Sequence, residues 1–329
     1  WRLWIYWKYK WMSNSVKHIL SLSLIKGVGA AFIKKNIPLI IAYIENIEML
    51  TSIGGKVTIE DFNNNLVYAQ SIMDECRKQN ISIISIIDAK YPKTLKEIKD
   101  PPPIIYLKGN AELLDKAVAI IGTRNSSTLG NKIAGKVGKY FSENWSICNG
   151  LVEGIDKYSI SPNDQVLPNV IGVLSGGLNY GETSSKVTQE LSELVLKNNG
   201  LLVSENEPNK KEDQFSGSKA SRIQAGLSIA LILIQSKITG GSKYTLKTFS
   251  ELSRPLGVIK FDGNPQYEND ELFGANRILV EKKITGLIEI CGIKKASNIR
   301  TKEFSIISNK QDYAQFNEKI KVANKTYKQ

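Results

Sequence analysis

The residues Ala117-Val-Ala-Ile-Ile121-Gly122-Thr123-Arg124-Asn125-Ser126-Ser127-Thr128-Leu129-Gly130 carry, in one short span, a strand, its exit loop and the start of a helix. Five apolar residues in succession, without the alternation of a half-solvated strand, predict burial on both faces, as in a parallel sheet covered by helices. Val170–Leu174 and Ile229–Ile234 repeat this pattern. Strand starts fall near Ile81, Ala117, Trp145, Val170, Gly200, Leu227 and Leu256, and from Ala117 onward they lie 28, 25, 30, 27 and 29 residues apart. Each interval fits one strand, one crossover helix and two short loops, so the expected fold is a doubly wound, mostly parallel α/β sheet.

Outward from this core the patterning changes. Between residues 13 and 85 the apolar positions cluster at helical spacing around Ile19–Leu24, Ile37–Ile47 and Val67–Cys76, which predicts a small helical domain ahead of the sheet. Its Ile25-Lys-Gly27-Val-Gly29 turn resembles a helix-hairpin-helix, whose glycines let backbone amides approach a phosphate; a tight interhelical turn with no ligand accounts for the same glycines. Asp100-Pro101-Pro102-Pro103 reads as a rigid extended linker delivering Ile104–Leu107 into the α/β domain, which is expected to span residues 86–292. Residues 293–329 are rich in Lys, Asn and Ser, carry one modest amphipathic patch at Phe316–Val322, and read as a partly disordered basic tail. Trp1–Trp11 holds four of the five tryptophans and is followed by Met12, so residues 1–12 are expected to be leader-like and outside the fold.

A chain of 329 residues with 42% apolar and 23% charged residues is globular in composition and long enough for two domains. Its net charge of +12 is unevenly placed: residues 1–44 contribute +7 and residues 293–329 contribute +6, leaving −1 for the middle. The ends form the long-range electrostatic footprint, and a central site must rely on a few cations placed locally. Cys76, Cys148 and Cys291 are odd in number and lack C-x-x-C spacing, which argues against a disulfide framework or a zinc ribbon and for a reducing, cytoplasmic setting. The lone histidine, His18, removes serine triads and two-histidine metal sites and is expected on a helix surface. No uninterrupted apolar run reaches membrane-spanning length, so a soluble protein without a membrane partner is expected.

In open α/β sheets ligands sit beyond the carboxyl ends of the strands. After Ile121, Gly122 permits close backbone approach, Thr123, Ser126 and the following helix start supply donors, and Arg124 offers a forked cation, which together outline an anion site. The loop is neither G-x-G-x-x-G nor a Walker loop, so no dinucleotide or ATP cofactor is expected. Further exits carry Asn149-Gly150-Leu151 with Gly154-Ile155-Asp156, Ser175-Gly176-Gly177, Ser204-Glu205, and Thr239-Gly240-Gly241-Ser242-Lys243. A turn requirement explains any one of these glycines; their recurrence at a single edge points to a shared site.

Taken in order, Tyr91-Pro92-x-x-Leu95, Asp100-Pro101-Pro102, Leu107-Lys108-Gly109, Ala119–Arg124, Gly130, Asn149–Leu151, Gly154–Asp156, Gly177-Leu178, Leu202–Glu205, Phe215, Arg222–Ser228 and Thr239-Gly240 resemble the DNA-processing protein A (DprA/Smf) family over roughly residues 88–290. The resemblance implies a Rossmann-like domain, preceded here by the helix-hairpin-helix or SAM-like unit, that binds single-stranded DNA, forms homodimers through that domain and assists RecA loading in natural transformation and recombination, without catalysis, metal or cofactor. In the family's pocket its arginine matches Arg124, its phenylalanine Phe215, and the last arginine of its Arg-Asn-Arg run Arg222. The two arginines are then expected on phosphates and Phe215 on a base. With them the expected nucleic-acid-binding set is Gly122, Thr123, Arg124, Ser126, Gly150, Gly176, Phe215, Lys219, Arg222, Gly241 and Lys243.

This chain departs from the pattern at Ala220 and Ser221, where the family has Arg and Asn, at Asn149 before Gly150, at Ile160 where a histidine is expected, and at Gln235 where a glutamate usually closes the strand. Lost pocket cations weaken phosphate affinity, and the tail after Gly292 is shorter than a complete winged helix. Two other readings share the fold. A LOG-like nucleotide hydrolase is suggested by Thr239-Gly240-Gly241 and Thr245, but Lys247 stands where that group carries its glutamate. A scaffold that has lost the pocket is the other.

Overall fold

The computed structural model describes residues 14–328 apart from 56, 264, 266 and 302, so the leader-like segment 1–12 lies outside the described residues. Helices α1 (residues 14–24), α2 (Ala30–Tyr43), α3 (Ile47–Ser52) and α4 (Ile59–Lys78) come first. They close on Ile19, Ile33, Ile40, Leu50 and Phe62, all fully buried. Gly27, at φ +89°, makes the turn between α1 and α2 in a region that side chains disfavour. Thr58 caps α4 by accepting a hydrogen bond from the Asp61 amide at 3.0 Å, with Glu60 and Asp61 in the first turn and Arg77 and Lys78 in the last, as the helix dipole favours. His18 is half-buried rather than on the surface, its Nδ1 paired with the Ile44 carbonyl at 2.5 Å and its ring edge on Phe62.

The chain then enters the sheet domain through β1 (Ser82–Ser85), α5 (Lys93–Lys96), β2 (Ile104–Gly109), β3 (Ala117–Ile121), α6 (Thr128–Ser142), β4 (Ser146–Asn149), α7 (Ile155–Ile160) and β5 (Val170–Val173). It continues through α8 (Tyr180–Thr183), α9 (Lys186–Lys197), β6 (Leu201–Ser204), α10 (Ser216–Leu227), β7 (Ser228–Leu233), α11 (Ser242–Ser250) and β8 (Leu256–Ile259). Helices α12 (Gly274–Lys282) and α13 (Ile284–Cys291), strand β9 (Phe304–Ile307) and helix α14 (Lys310–Lys328) complete it.

Among the described residues the strands form a nine-stranded sheet in the order β1-β2-β6-β5-β4-β3-β7-β8-β9. The β1–β2 and β2–β6 pairs are antiparallel, and every pair from β6 to β9 is parallel. All residues of β3 through β8 are buried, as expected from their unbroken apolar runs. The fold is Rossmann-like and mostly parallel, as the spacing of strand starts indicated. From β3 the chain steps through β4, β5 and β6 in one direction, then returns past β3 to add β7, β8 and β9. Right-handed crossovers then put α6, α7 and α9 on one face and α10, α11 and α13 on the other, in keeping with the packing of α6 on α7 and of α10 and α13 on α11. Helix α14 joins α6 over the first face. The strand order reverses between β3 and β7, which opens a crevice at their carboxyl ends.

Two segments differ from the sequence expectation. Ile104–Gly109, into which the proline linker leads but which is not among the expected strand starts, is strand β2, and it pairs β1, the strand expected near Ile81, so the sheet begins before residue 86. The three prolines hid it: they lack amide donors for a ladder, but the apolar residues immediately after them have donors and are buried. The tail read as partly disordered contributes β9 and α14, with Ile307, Phe316 and Ile320 buried against the sheet. Its apolar residues are too sparse to stand out in a Lys- and Asn-rich background, yet Ile307, Phe316 and Ile320 face the core, while Val322 is exposed. Cys76, Cys148 and Cys291 are free and buried, and burial pushes each thiol up to about 12. No described helix is long and apolar enough to cross a membrane.

Candidate nucleic-acid interface

The β3 exit loop occupies the crevice at the topological switch point. Its backbone is fixed from two sides: the Thr123 amide donates to the Gln235 carbonyl at the end of β7 at 2.8 Å, and the Thr123 carbonyl accepts from the Ile155 amide at 3.1 Å. Gly122 is required here, since a Cβ would lie 2.4 Å from the Ile155 side chain and 2.8 Å from the Gln235 carbonyl. Gly154, at φ +79°, lets the start of α7 close on the same loop; a Cβ there would meet the Thr123 and Arg124 carbonyls at 2.3 and 2.4 Å. Ser127 caps α6 by accepting from the Gly130 amide at 3.0 Å, while its own amide donates to Gln235 Oε1 at 3.0 Å. Ser126 donates to Asn131 and Thr123 Oγ1 accepts from the Asn125 amide, so both hydroxyl groups shape the loop. Arg124 is exposed on this fixed backbone, and none of the ion pairs among the described residues includes it.

Behind Arg124 lies the carboxylate of the Gly154-Ile155-Asp156 motif, which is outside the expected binding set. Asp156 is buried and its Oδ2 accepts from the Gly150 amide at 2.8 Å. Burial pushes its carboxyl up to about 7, and the Gly150 amide, the Arg124 charge and the Val152 amide each pull it back toward the ordinary range. A Cβ on Gly150 would lie 2.9 Å from the Gln224 side-chain nitrogen and 3.1 Å from Asp156, so the β4 exit, α7 and α10 meet at this glycine. The signal was the short Gly-Ile-Asp sequence, which follows a strand exit but names no partner for its carboxylate. Gln235 is likewise buried, and its Nε2 has no hydrogen-bond partner among the described residues.

The α10 side of the edge is built differently. Phe215, at the N-terminus of α10, is 60% exposed, and the exposed Lys219 sits one turn later on the same face. Arg222 is clamped instead: its side chain is 15% exposed, Nε donates to Asp100 at 3.1 Å, and the two terminal nitrogens bond both Glu205 oxygens at 2.8 and 2.6 Å. Burial works against its charge, but the Glu205 and Asp100 carboxylates outweigh it and hold the guanidinium pKa above its ordinary value. The proline linker and the β6 exit are thus tied together by a residue expected to hold phosphate. Glu205 lies just past the end of β6, three strand intervals or about 14 Å of sheet from the end of β3, so Arg222 and Arg124 share one edge of the sheet. The α1–α2 turn faces the α10 side, where Val28, Gly29, Asp100, Glu205, Lys219 and Arg222 line a cleft of about 630 Å³.

Of the remaining expected residues, Gly176 is buried, its carbonyl accepting from Ser204 Oγ at 2.7 Å, and a Cβ there would meet the Thr183 carbonyl at 2.7 Å. Gly241 stands in open space before α11, and Lys243 is half-buried with its ammonium 5.4 Å from the centre of the Tyr244 ring. The glycine-bearing exits therefore do converge on one edge, though Gly176 turns the chain beneath it.

With this geometry in view, a family model described as DNA recombination-mediator protein A matches residues 82–290. The chain belongs to that family. The DNA processing protein DprA of Bacillus subtilis is 33% identical over 186 residues, which are 56% of this chain and 62% of that protein, so the chain spans less than two thirds of its length. The Streptococcus pneumoniae DprA is 28% identical over 229 residues, 67% of this chain and 79% of the relative. Its crystal structure matches with a TM-score of 0.68 at 23% identity, over 92% of this chain and 97% of the other. A structure of DNA processing protein A from Helicobacter pylori, described for its single-stranded DNA binding mode, matches with a TM-score of 0.55 at 23% identity, over 74% of this chain and 96% of that one. At these identities the two solved structures establish the shared fold. The residues 293–328 that form β9 and α14 lie beyond the span of the family model.

Proposed function

We propose that the protein binds single-stranded DNA at the carboxyl edge of its sheet and serves, as a homodimer that assists RecA loading, in DNA uptake and recombination. The observation that carries this reading is Arg124: an exposed guanidinium without an ion-pair partner among the described residues, on a backbone locked by Gly122 and Gly154 at the point where the strand order reverses. A fixed backbone spares the loop part of the ordering cost on binding, so the cation meets a phosphate already positioned. Phe215 and Lys219 supply the complementary pair, a stacking face and a second cation. Arg222 acts as a positioning residue that holds the β6 exit, since phosphate would have to displace two carboxylates to reach it. Gln235 in place of the family's glutamate keeps a negative charge away from the start of α6, which partly offsets the cation missing at Ala220. The relatives' names, which concern DNA processing, support the same reading.

Fluorescence anisotropy with oligo-dT and with duplex of equal length, over a salt series, tests it. Tighter binding of the single strand, an affinity that falls as salt rises, and a loss of roughly 10-fold or more on Arg124→Ala are expected from one charge-assisted phosphate contact. Unchanged binding in Arg124→Ala and in Phe215→Ala would place the interface elsewhere.

A further inference from the structure

A groove of about 710 Å³ lies between α6 and α14, above the ends of β8 and β9. Leu129, Ile133, Lys136 and Tyr140 of α6 and Glu143 at its C-cap line it, and their alternating spacing of four and three residues sets them on one helix face. Opposite them stand Lys310 and Tyr313, with Lys260 at the strand ends. Lys136, Lys139, Lys260 and Lys310 face a single lining carboxylate, Glu143. Lys260 is already paired with Asp262 at 2.7 Å, whereas no ion pair among the described residues includes Lys136, Lys139 or Lys310. Tyr140 and Tyr313 meet at 5.3 Å between ring centres, and Leu129 is exposed, so the cations border an apolar floor.

We infer that this groove is a second stretch of the single-strand path, continuous with the rim at Arg124. Continuity carries the choice of occupant: Leu129 is the second residue of α6, immediately beyond the Ser127 cap of the Arg124 loop, and from Leu129 to Glu143 the helix runs about 21 Å. A strand leaving Arg124 along α6 passes lysines able to take its phosphates and finds apolar and aromatic surface for its bases. The far wall comes from the tail beyond the family-matched residues, which gives the basic tail a local role in addition to its long-range charge. The inference rests on the proposed DNA-binding reading and extends it along the molecule.

Lysine acetylation read by mass spectrometry, on the full chain with a thymidine tetranucleotide or with a much longer oligo-dT, tests it. The long strand is expected to protect Lys136, Lys139 and Lys310, the tetranucleotide is expected to leave them reactive, and the exposed Lys186 on α9 serves as the unprotected reference. The combined variant Lys136→Ala, Lys139→Ala and Lys310→Ala should lower the log–log salt slope for the long strand by about two, at about 0.7 per phosphate. Equal reactivity of the three lysines with and without saturating long oligo-dT, or an unchanged slope, overturns the inference. Protection by an acidic, leucine-rich peptide and not by the long strand would also overturn it and give the groove to a protein. If Arg124→Ala leaves tetranucleotide affinity unchanged while the lysines are still protected, the rim reading fails and the groove stands.

Discussion

Two arginines at opposite edges of the same sheet are held in opposite ways. Arg254, at the amino edge before β8, is 1% exposed, and its nitrogens reach the carbonyls of Ala225, Gly226, Ser228 and Thr94, the Glu97 carboxylate and the Tyr327 hydroxyl. It joins the C-terminal end of α10, α5 and the end of α14, where the helix dipole of α10 favours a cation. Arg124, at the carboxyl edge, lies in the open on a loop whose backbone is held while its side chain is not. Arg222 stands between them in character: it shares Arg124's edge but is spoken for by Asp100 and Glu205. A buried fork that satisfies many carbonyls stabilises the fold and has little left to offer a ligand; an exposed one contributes little stability and is free to bind.

That contrast ranks the expected effects of substitution. Arg254→Ala should be the most damaging, at about 3–5 kcal/mol, because it leaves several buried carbonyls without their donor; urea denaturation measures it, and a loss below 1 kcal/mol would remove the contrast. Gly154→Val comes next, at about 1–3 kcal/mol or more: a positive φ is forced on a β-branched residue, and its Cβ collides with the Thr123 and Arg124 carbonyls. DNA affinity should fall with it, since the Arg124 loop must move, and a circular dichroism melt beside an anisotropy titration reads both.

Arg222→Ala should cost roughly 2 kcal/mol in the same denaturation experiment by leaving Glu205 without its fork. It should reduce single-strand affinity less than Arg124→Ala does, and the reverse order would make Arg222 a phosphate ligand after all.

Asp156 sharpens the comparison through pH. Its carboxyl titrates near 7 in the folded protein and near the ordinary aspartate value when unfolded, so between about pH 4 and 7 the folded state holds the extra proton. Its contribution to stability therefore falls as pH rises through that window. Asp156→Asn should flatten the decline, changing the slope of unfolding free energy by up to about 1.4 kcal/mol per pH unit. Denaturation curves at several pH values test this, and an identical slope in the variant would show that Asp156 is ionised throughout. Arg124→Ala should have the smallest effect on stability, within about 0.5 kcal/mol, despite its expected effect on DNA affinity.

The parts of this architecture legible in the sequence are those with local causes. The unbroken apolar run of Ala117–Ile121, and its repeats at near-equal intervals, require two covered faces and crossover helices, whatever else the chain does. Gly122 and Gly154 stood out because strand exits that approach another backbone tolerate no Cβ. Strand β2 was masked by its neighbouring prolines, and β9 with α14 by a polar composition in which Ile307, Phe316 and Ile320 are few but well placed. In the candidate site, Arg124 was legible as a cation after a strand, whereas the clamp on Arg222 was not, because its partners lie 122 and 17 residues away in sequence.

By itself, then, the sequence determined which segments are strands of a covered parallel sheet and which loops can bring backbone close to an anion, because burial pattern and the absence of a Cβ act within a few residues. The packing of distant segments fixes which of Arg124, Arg222 and Arg254 has no ion-pair partner among the described residues, which carboxylate is buried enough to hold its proton near neutrality, and where the tail completes a groove. Those properties depend on charges and walls brought together from distant positions, and their energies are set by distance and solvent exclusion, which the order of residues along the chain does not specify.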